Sequence, residues 1–291
     1  MTERRETGRS KRNRSRHKPN RKRSSAPPIA ESGEGERIAK YLARCGVASR
    51  RACEALIADG KVFVNGERLL TPAVKVTGRE DIRVDRKRIE PPQATRLWRY
   101  HKPAGLITTN NDPAGRRTIF DELPKSLPRT VTVGRLDLNT EGLLLLTNNG
   151  ELARALELPN NGLERTYRAR AHGDISEDLL ASLQSGIQVD GETFGAIRAE
   201  LERQMGSNSW ITVSLHEGKK REVRRALEAI GLQVNRLIRT DYGPFELGEL
   251  RPGSVKEVPA HRIARELSTI YPALKSELAP KSRFERSGKS R

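Results

Sequence analysis

The apolar positions of this chain change period several times, and each change marks an element. Ile38, Tyr41, Leu42 and Cys45 recur at the spacing of a helix, which Gly46 can end in the left-handed conformation. Ser49 is a candidate N-cap for a second helix from Arg50 to Ala58, closed by Asp59-Gly60. Lys61-Val62-Phe63-Val64 then runs into Asn65-Gly66, a strong hairpin-turn signal, and Ile82-Arg83-Val84 reads as the next strand. Pro91-Pro92 and the polar residues after them form a linker, and Leu97-Trp98-Arg99-Tyr100 opens a larger unit. There the pattern predicts strands at 131–133, 143–147, 166–171, 210–215 and 235–239, and helices at 151–157, 176–185 and 221–230. The expected fold class is α+β, with a small module of two helices and a hairpin followed by a domain built on a largely antiparallel sheet.

Charge refines this division. The chain carries 55 Lys and Arg against 37 Asp and Glu, a formal +18, and a surface of that sign attracts polyanions. Residues 1–30 hold 11 basic and 2 acidic side chains, which is half of the net charge. Residues 272–291 add 6 basic and 2 acidic ones in another Ser/Lys/Arg-rich stretch. Neither end has enough apolar surface to offset chain entropy, so the expected organisation is a disordered basic arm over 1–35, a small module and linker over 36–95, a larger domain over 96–271 and a disordered basic tail over 272–291. Arg44, Arg50, Arg51 and Lys61 are expected to cluster where the two helices meet the hairpin, as one cationic face.

Hydrophobic residues make up 35% of the chain, and no apolar run reaches the length of a membrane span. The arm has no apolar stretch after its charges, unlike a secretory signal, so the expected location is the cytoplasm. Cys45 and Cys53 are the only cysteines and do not have metal-site spacing; Gly218-Lys219 lacks the remaining residues of a phosphate-binding loop. No metal or nucleotide cofactor is implied. No unpaired apolar stripe stands out as an interface, so a monomer is expected.

The stretch Gly134-Arg135-Leu136-Asp137-Leu138-Asn139-Thr140-Glu141-Gly142 puts an acid beside an arginine on a turn between two strand-like runs. A carboxylate there is either held on a rigid support to act on a ligand or merely caps its own turn.

Two resemblances weigh on that choice. The run Arg50-Arg51, Glu54, Leu56-Ile57, Gly60, Val62, Val64-Asn65-Gly66 resembles an S4 RNA-binding domain. Downstream, His101-Lys102-Pro103-Ala104-Gly105, Gly134-Arg135-Leu136-Asp137, Thr166-Tyr167, the segment from Glu217 to Arg225 and Arg236-Leu237-Ile238-Arg239 occur in an order similar to the RsuA/RluB-type pseudouridine synthases. Asn111 to Pro124 is similar to the branch that modifies 23S rRNA. This resemblance implies isomerisation of a uridine in rRNA, without metal or cofactor, by Asp137 as nucleophile or base. It implies further that Arg224 is the ion-pair partner of that carboxylate, Tyr167 stacks on the uracil, Leu237 packs beneath it, Arg135 fills the gap left in the RNA and Lys102 supports the site. Lys220 departs from the family pattern, where Asn is common. A 16S rRNA enzyme of the same family and a non-catalytic RNA-binding assembly factor stay open as alternatives.

Overall fold

A computed structural model describes residues 35–110 and 112–278. The basic arm up to residue 34 and the end of the tail from 279 lie outside the described residues. In the first module, α1 (Ile38–Arg44) and α2 (Arg50–Ala58) cross over a small sheet formed by β1 (Val62–Val64), β2 (Glu67–Leu69) and β3 (Ile82–Val84). The Ser49 hydroxyl accepts from the Ala52 amide at 3.1 Å, the cap that its position predicts. The hairpin partner of β1 is Glu67–Leu69, not Ile82–Val84; the latter pairs with β1 along its other edge. Ile38, Leu42, Cys53, Ile57, Val62 and Val64 are fully buried between helices and sheet.

The larger domain is a mixed sheet whose elements are β4 (Leu97–Lys102), β5 (Thr140–Thr147), β6 (Arg165–His172), β7 (Arg198–Met205), β8 (Asn208–Leu215), β9 (Gln233–Tyr242) and β10 (Val255–Glu257). Their order across the sheet is β7-β8-β6-β9-β5-β4-β10, and only β5 with β9 pairs in parallel. Helices α3 (Gly150–Glu157), α4 (Glu222–Ala229) and α5 (Ala260–Leu267) pack on it. The apolar run Leu143-Leu144-Leu145-Leu146 in β5 does not alternate because both faces are covered. Leu143 and Leu145 meet Leu152, Leu156, Ile263 and Leu267, while Leu144 and Leu146 meet Trp98, Tyr100 and Ile119. Each of these leucines contributes roughly 1.5–3 kcal/mol by leaving water.

The parallel contact depends on Gly142. A Cβ there would overlap the backbone oxygen of Arg239 and stand 2.7 Å from its nitrogen, and φ is +102°. Only glycine allows β9 to lie this close to the strand that follows Asp137.

Two expectations are corrected. Residues 272–278 are not tail: Leu274 is fully buried in the core beside Leu267, and a helical turn spans Leu274–Glu277. Arg44 does not join the exposed Arg50, Arg51 and Lys61. Its guanidinium pairs with Glu36 at 3.2 Å and reaches Glu277 at 3.9 Å, and Glu277 also accepts from Thr95 and Asn149. Together with the Lys40–Glu151 pair, this polar cluster joins the first module to the second domain.

Candidate active site

Four neighbouring strands, β5, β9, β6 and β8, and the loops at 134–137 and 217–221 converge on an open cleft of about 690 Å³ lined by Arg135, Asp137, Tyr167, Leu237 and Arg239, among others. That volume lies within the usual range for small-molecule sites. The strand register explains the convergence. Tyr167 of β6 sits directly across from Arg239 of β9, and Leu237 and Arg239 pair in parallel with Thr140 and Gly142 at the start of β5. Asp137 is three residues ahead of Thr140, on the loop that feeds this strand.

The loop is held almost entirely through its backbone. Leu136 O accepts from Thr108 Oγ1 at 2.8 Å, and Asp137 O from the Thr140 amide at 3.0 Å. Leu138 O receives the Gly105 amide at 2.8 Å and Lys102 Nζ at 3.2 Å, Asn139 O an Arg224 nitrogen at 3.3 Å, and Thr140 O Lys102 Nζ at 2.9 Å. Five consecutive carbonyls are thus engaged, which leaves the exposed Asp137 side chain free to face the cleft from a fixed backbone.

Lys102 has no accessible surface, and its ammonium also donates to Pro103 O at 3.0 Å. Burial pulls its pKa down to about 8, against the opposing charges of Asp137 and Glu141. Arg224 is buried too, and burial together with Arg221 lowers its pKa while Asp137 opposes the shift. Both cations therefore feel the Asp137 carboxylate. Neither forms an ion pair with it among the contacts of the described residues, so the expected direct Arg224–Asp137 pair is absent; the guanidinium instead ties α4 to Val234 O at 2.7 Å and to Asn139 O.

Of the other residues singled out in the sequence, Tyr167 is half-buried, Leu237 is buried on the floor and Arg135 is exposed at the rim. Arg225 points away, paired with Glu192 at 2.5 Å and Asp190 at 3.4 Å. Arg50, Arg51 and Lys61 lie on the exposed side of the first module, where Lys61 is 3.3 Å from Asp59.

The cleft also contains residues to which the sequence motifs assigned no role. Arg165, Arg239, Tyr242, Glu217 and Glu222 all line it. The signal for two of them was strand alternation: Arg165 lies two residues from Tyr167, and Arg239 two from Leu237, which puts each on its partner's face. Glu222 is buried, and burial raises its pKa to about 7, helped by the adjacent Glu217 and opposed by a hydrogen bond from the Lys219 amide. Among the described residues, no three His, Cys, Asp or Glu side chains gather as a metal site.

A loop-held carboxylate and a half-buried aromatic ring lining one cleft rich in cations suit covalent or acid–base work on an anionic, ring-bearing ligand. Comparison with known proteins agrees. Residues 96–229 match the model of the RNA pseudouridylate synthase family, and residues 36–82 match the S4 domain. An uncharacterized RNA pseudouridine synthase of Rickettsia felis is 48% identical over 77% of this chain and 96% of its own length. The ribosomal large subunit pseudouridine synthase B of Haemophilus influenzae is 38% identical over 92% of this chain and 78% of its own, and that of Yersinia pestis 43% over 73% and 69%. A crystal structure of a pseudouridylate synthase superposes with a TM-score of 0.56 at 26% identity, covering 79% of this chain and 99% of that one. With nearly the whole of such a relative aligned at 48% identity, the chain belongs to the RNA pseudouridine synthase family.

Proposed function

We propose that this chain converts a uridine of 23S rRNA to pseudouridine, with Asp137 as the reacting carboxylate. The observation that carries this reading is the backbone clamp on residues 136–140, which fixes the exposed Asp137 carboxylate at a cleft that Tyr167 and Leu237 also line. The large-subunit names of the Haemophilus and Yersinia relatives support 23S as the substrate.

The reaction breaks the C1′–N1 bond of the nucleotide, turns the base, joins C1′ to C5, moves the C5 proton off and returns one to N1. Nothing is gained or lost, so one carboxylate is sufficient, as nucleophile at C1′ or as base toward the sugar. Either route starts with ionised Asp137. Lys102 and Arg224 lie behind the loop as buried positive charges and hold that state as RNA excludes water. Tyr167 stacks on the flipped uracil above Leu237, and Arg135 occupies the gap in the RNA, offsetting part of the few kcal/mol that flipping costs. Arg50, Arg51 and Lys61 bind the phosphate backbone, and the chain works as a cytoplasmic monomer. Pseudouridine formation on separate 23S and 16S transcripts tests the proposal: product in the first alone supports it, and product in the second alone assigns the enzyme to the other subunit.

A further inference from the structure

Arg165 and Arg239 form a pair of buried guanidiniums that the chemistry above leaves unused. They lie on neighbouring strands β6 and β9 and flank one aromatic ring, with Tyr242 4.9 Å from the first and 5.0 Å from the second. Their exposures are only 5% and 3%, yet neither has a carboxylate within ion-pair distance among the described residues. Arg165 donates to the carbonyls of Leu163 and His216 and to Tyr242 Oη at 3.1 Å, while Tyr242 in turn donates to Leu156 O at 2.9 Å. Arg239 donates through Nε to Leu143 O at 2.7 Å, and its Nη2 is buried with no partner. Of the other acids lining the cleft, Glu157 accepts from the Gly134 amide at 2.8 Å, Glu217 pairs with Lys219 at 2.7 Å and Glu222 accepts from the Lys219 amide at 2.8 Å, and none of them forms an ion pair with either arginine among the described residues.

A buried charge without a counter-charge costs several kcal/mol. Two of them facing the same cleft mark a place where an anion completes the site. The guanidinium fork matches two oxygens of a phosphate, and the carbonyls and Tyr242 hold both forks in place before any ligand arrives.

We propose that Arg165, Arg239 and Tyr242 form a phosphate subsite that takes a phosphodiester of the RNA strand adjoining the uridine held at Asp137. The proposal rests on the RNA substrate assigned above. The strand register supports adjacency: Arg239 lies directly across from Tyr167 and beside Gly142, so the subsite begins one residue from the ring that stacks on the base.

The test measures RNA binding by full-length protein in an Asp137→Asn background, where turnover does not interfere, over a series of salt concentrations. Arg239→Gln is expected to weaken binding of a 23S transcript roughly tenfold, the value of one hydrogen bond to a charged group. It should also flatten the plot of log affinity against log salt by about 0.7, the share of one single-strand phosphate. Arg239→Lys should restore the slope. An unchanged slope in Arg239→Gln overturns the subsite, because a purely structural arginine would alter stability without removing a counterion. A second reading does not depend on how well the variant folds. Uridine 5′-monophosphate should raise the melting temperature of the unaltered protein more than uridine does, and inorganic phosphate should cancel the difference; equal shifts for nucleotide and nucleoside refute the proposal. Phosphate-selective binding without isomerisation of any rRNA would sink the assigned activity alone, and full isomerisation with an unchanged slope would sink the subsite alone.

Discussion

Replacing Lys102 with methionine keeps the length of the side chain and removes its ammonium, which separates two effects that usually travel together. Three hydrogen bonds from Nζ are lost, to Pro103, Leu138 and Thr140. At about 1.5 kcal/mol for each bond to a charged group, the loss is about 4–5 kcal/mol. Against it stands the cost of burying the charge. A pKa moved from 10.5 to about 8 corresponds to about 3.5 kcal/mol against the protonated form at neutral pH. The two nearly cancel, so Lys102→Met should lower stability by only about 1 kcal/mol, or about 3 °C in melting temperature for a domain of this size. Activity should fall much further. The loop that carries Asp137 loses two of its tethers, and a displacement near 1 Å is worth about a hundredfold in rate. Denaturant unfolding and single-turnover isomerisation, read side by side, check both halves. The pH dependence adds a signed test. The folded-state pKa lies below the unfolded one, so between pH 8 and 10.5 the unfolded chain holds more protons and the Lys102 contribution to stability rises with pH. The gap in stability between the unaltered protein and Lys102→Met should therefore widen in favour of the former over that window. A gap that narrows, or a variant with undiminished turnover, refutes the role given to this lysine.

Three further outcomes follow from the same geometry. Asp137→Asn should abolish isomerisation and leave RNA affinity unchanged or improved, since it removes a negative charge facing a polyanion; filter binding beside product analysis reads both. Gly142→Ala should cost more than 4 kcal/mol in chemical denaturation, because the positive φ alone costs about 1–3 kcal/mol and the methyl group also collides with the Arg239 backbone. Removing residues 1–30, with 11 basic side chains, should reduce both RNA affinity and its salt slope while sparing the single-turnover rate at saturating RNA.

What could be read from the sequence was what local chemistry decides. Ser49 caps α2 and Asn65-Gly66 turns the hairpin because neither depends on anything far along the chain. The turn at Asp137 was legible for the same reason, and motif order tied it to Tyr167, Arg224 and Leu237. What escaped depends on contacts between distant segments. Arg44 looks like another surface cation until Glu277 arrives from the far end of the chain to meet it. The segment around Leu274 reads as polar tail because one buried leucine and one carboxylate are too little signal, yet the pocket beside Leu267 and the junction at Thr95 and Asn149 are enough to order it. Arg224 lies behind the Asp137 loop, but with other contacts than its position suggested: an arginine near a carboxylate suggests an ion pair, whereas here the carbonyls of Val234 and Asn139 take its nitrogens and the charge reaches Asp137 only through space. Arg165 and Arg239 had a readable signal in the two-residue period of their strands, but their lack of acidic partners is a property of the folded cleft alone.

The most direct test of the central claim is site-resolved pseudouridine mapping of rRNA from cells lacking this protein, rescued with the unaltered chain or with Asp137→Asn. One 23S position should lose its pseudouridine in the absence of the protein and regain it with the unaltered chain only. A position restored equally well by Asp137→Asn, or an rRNA map that does not change at all, would contradict that claim.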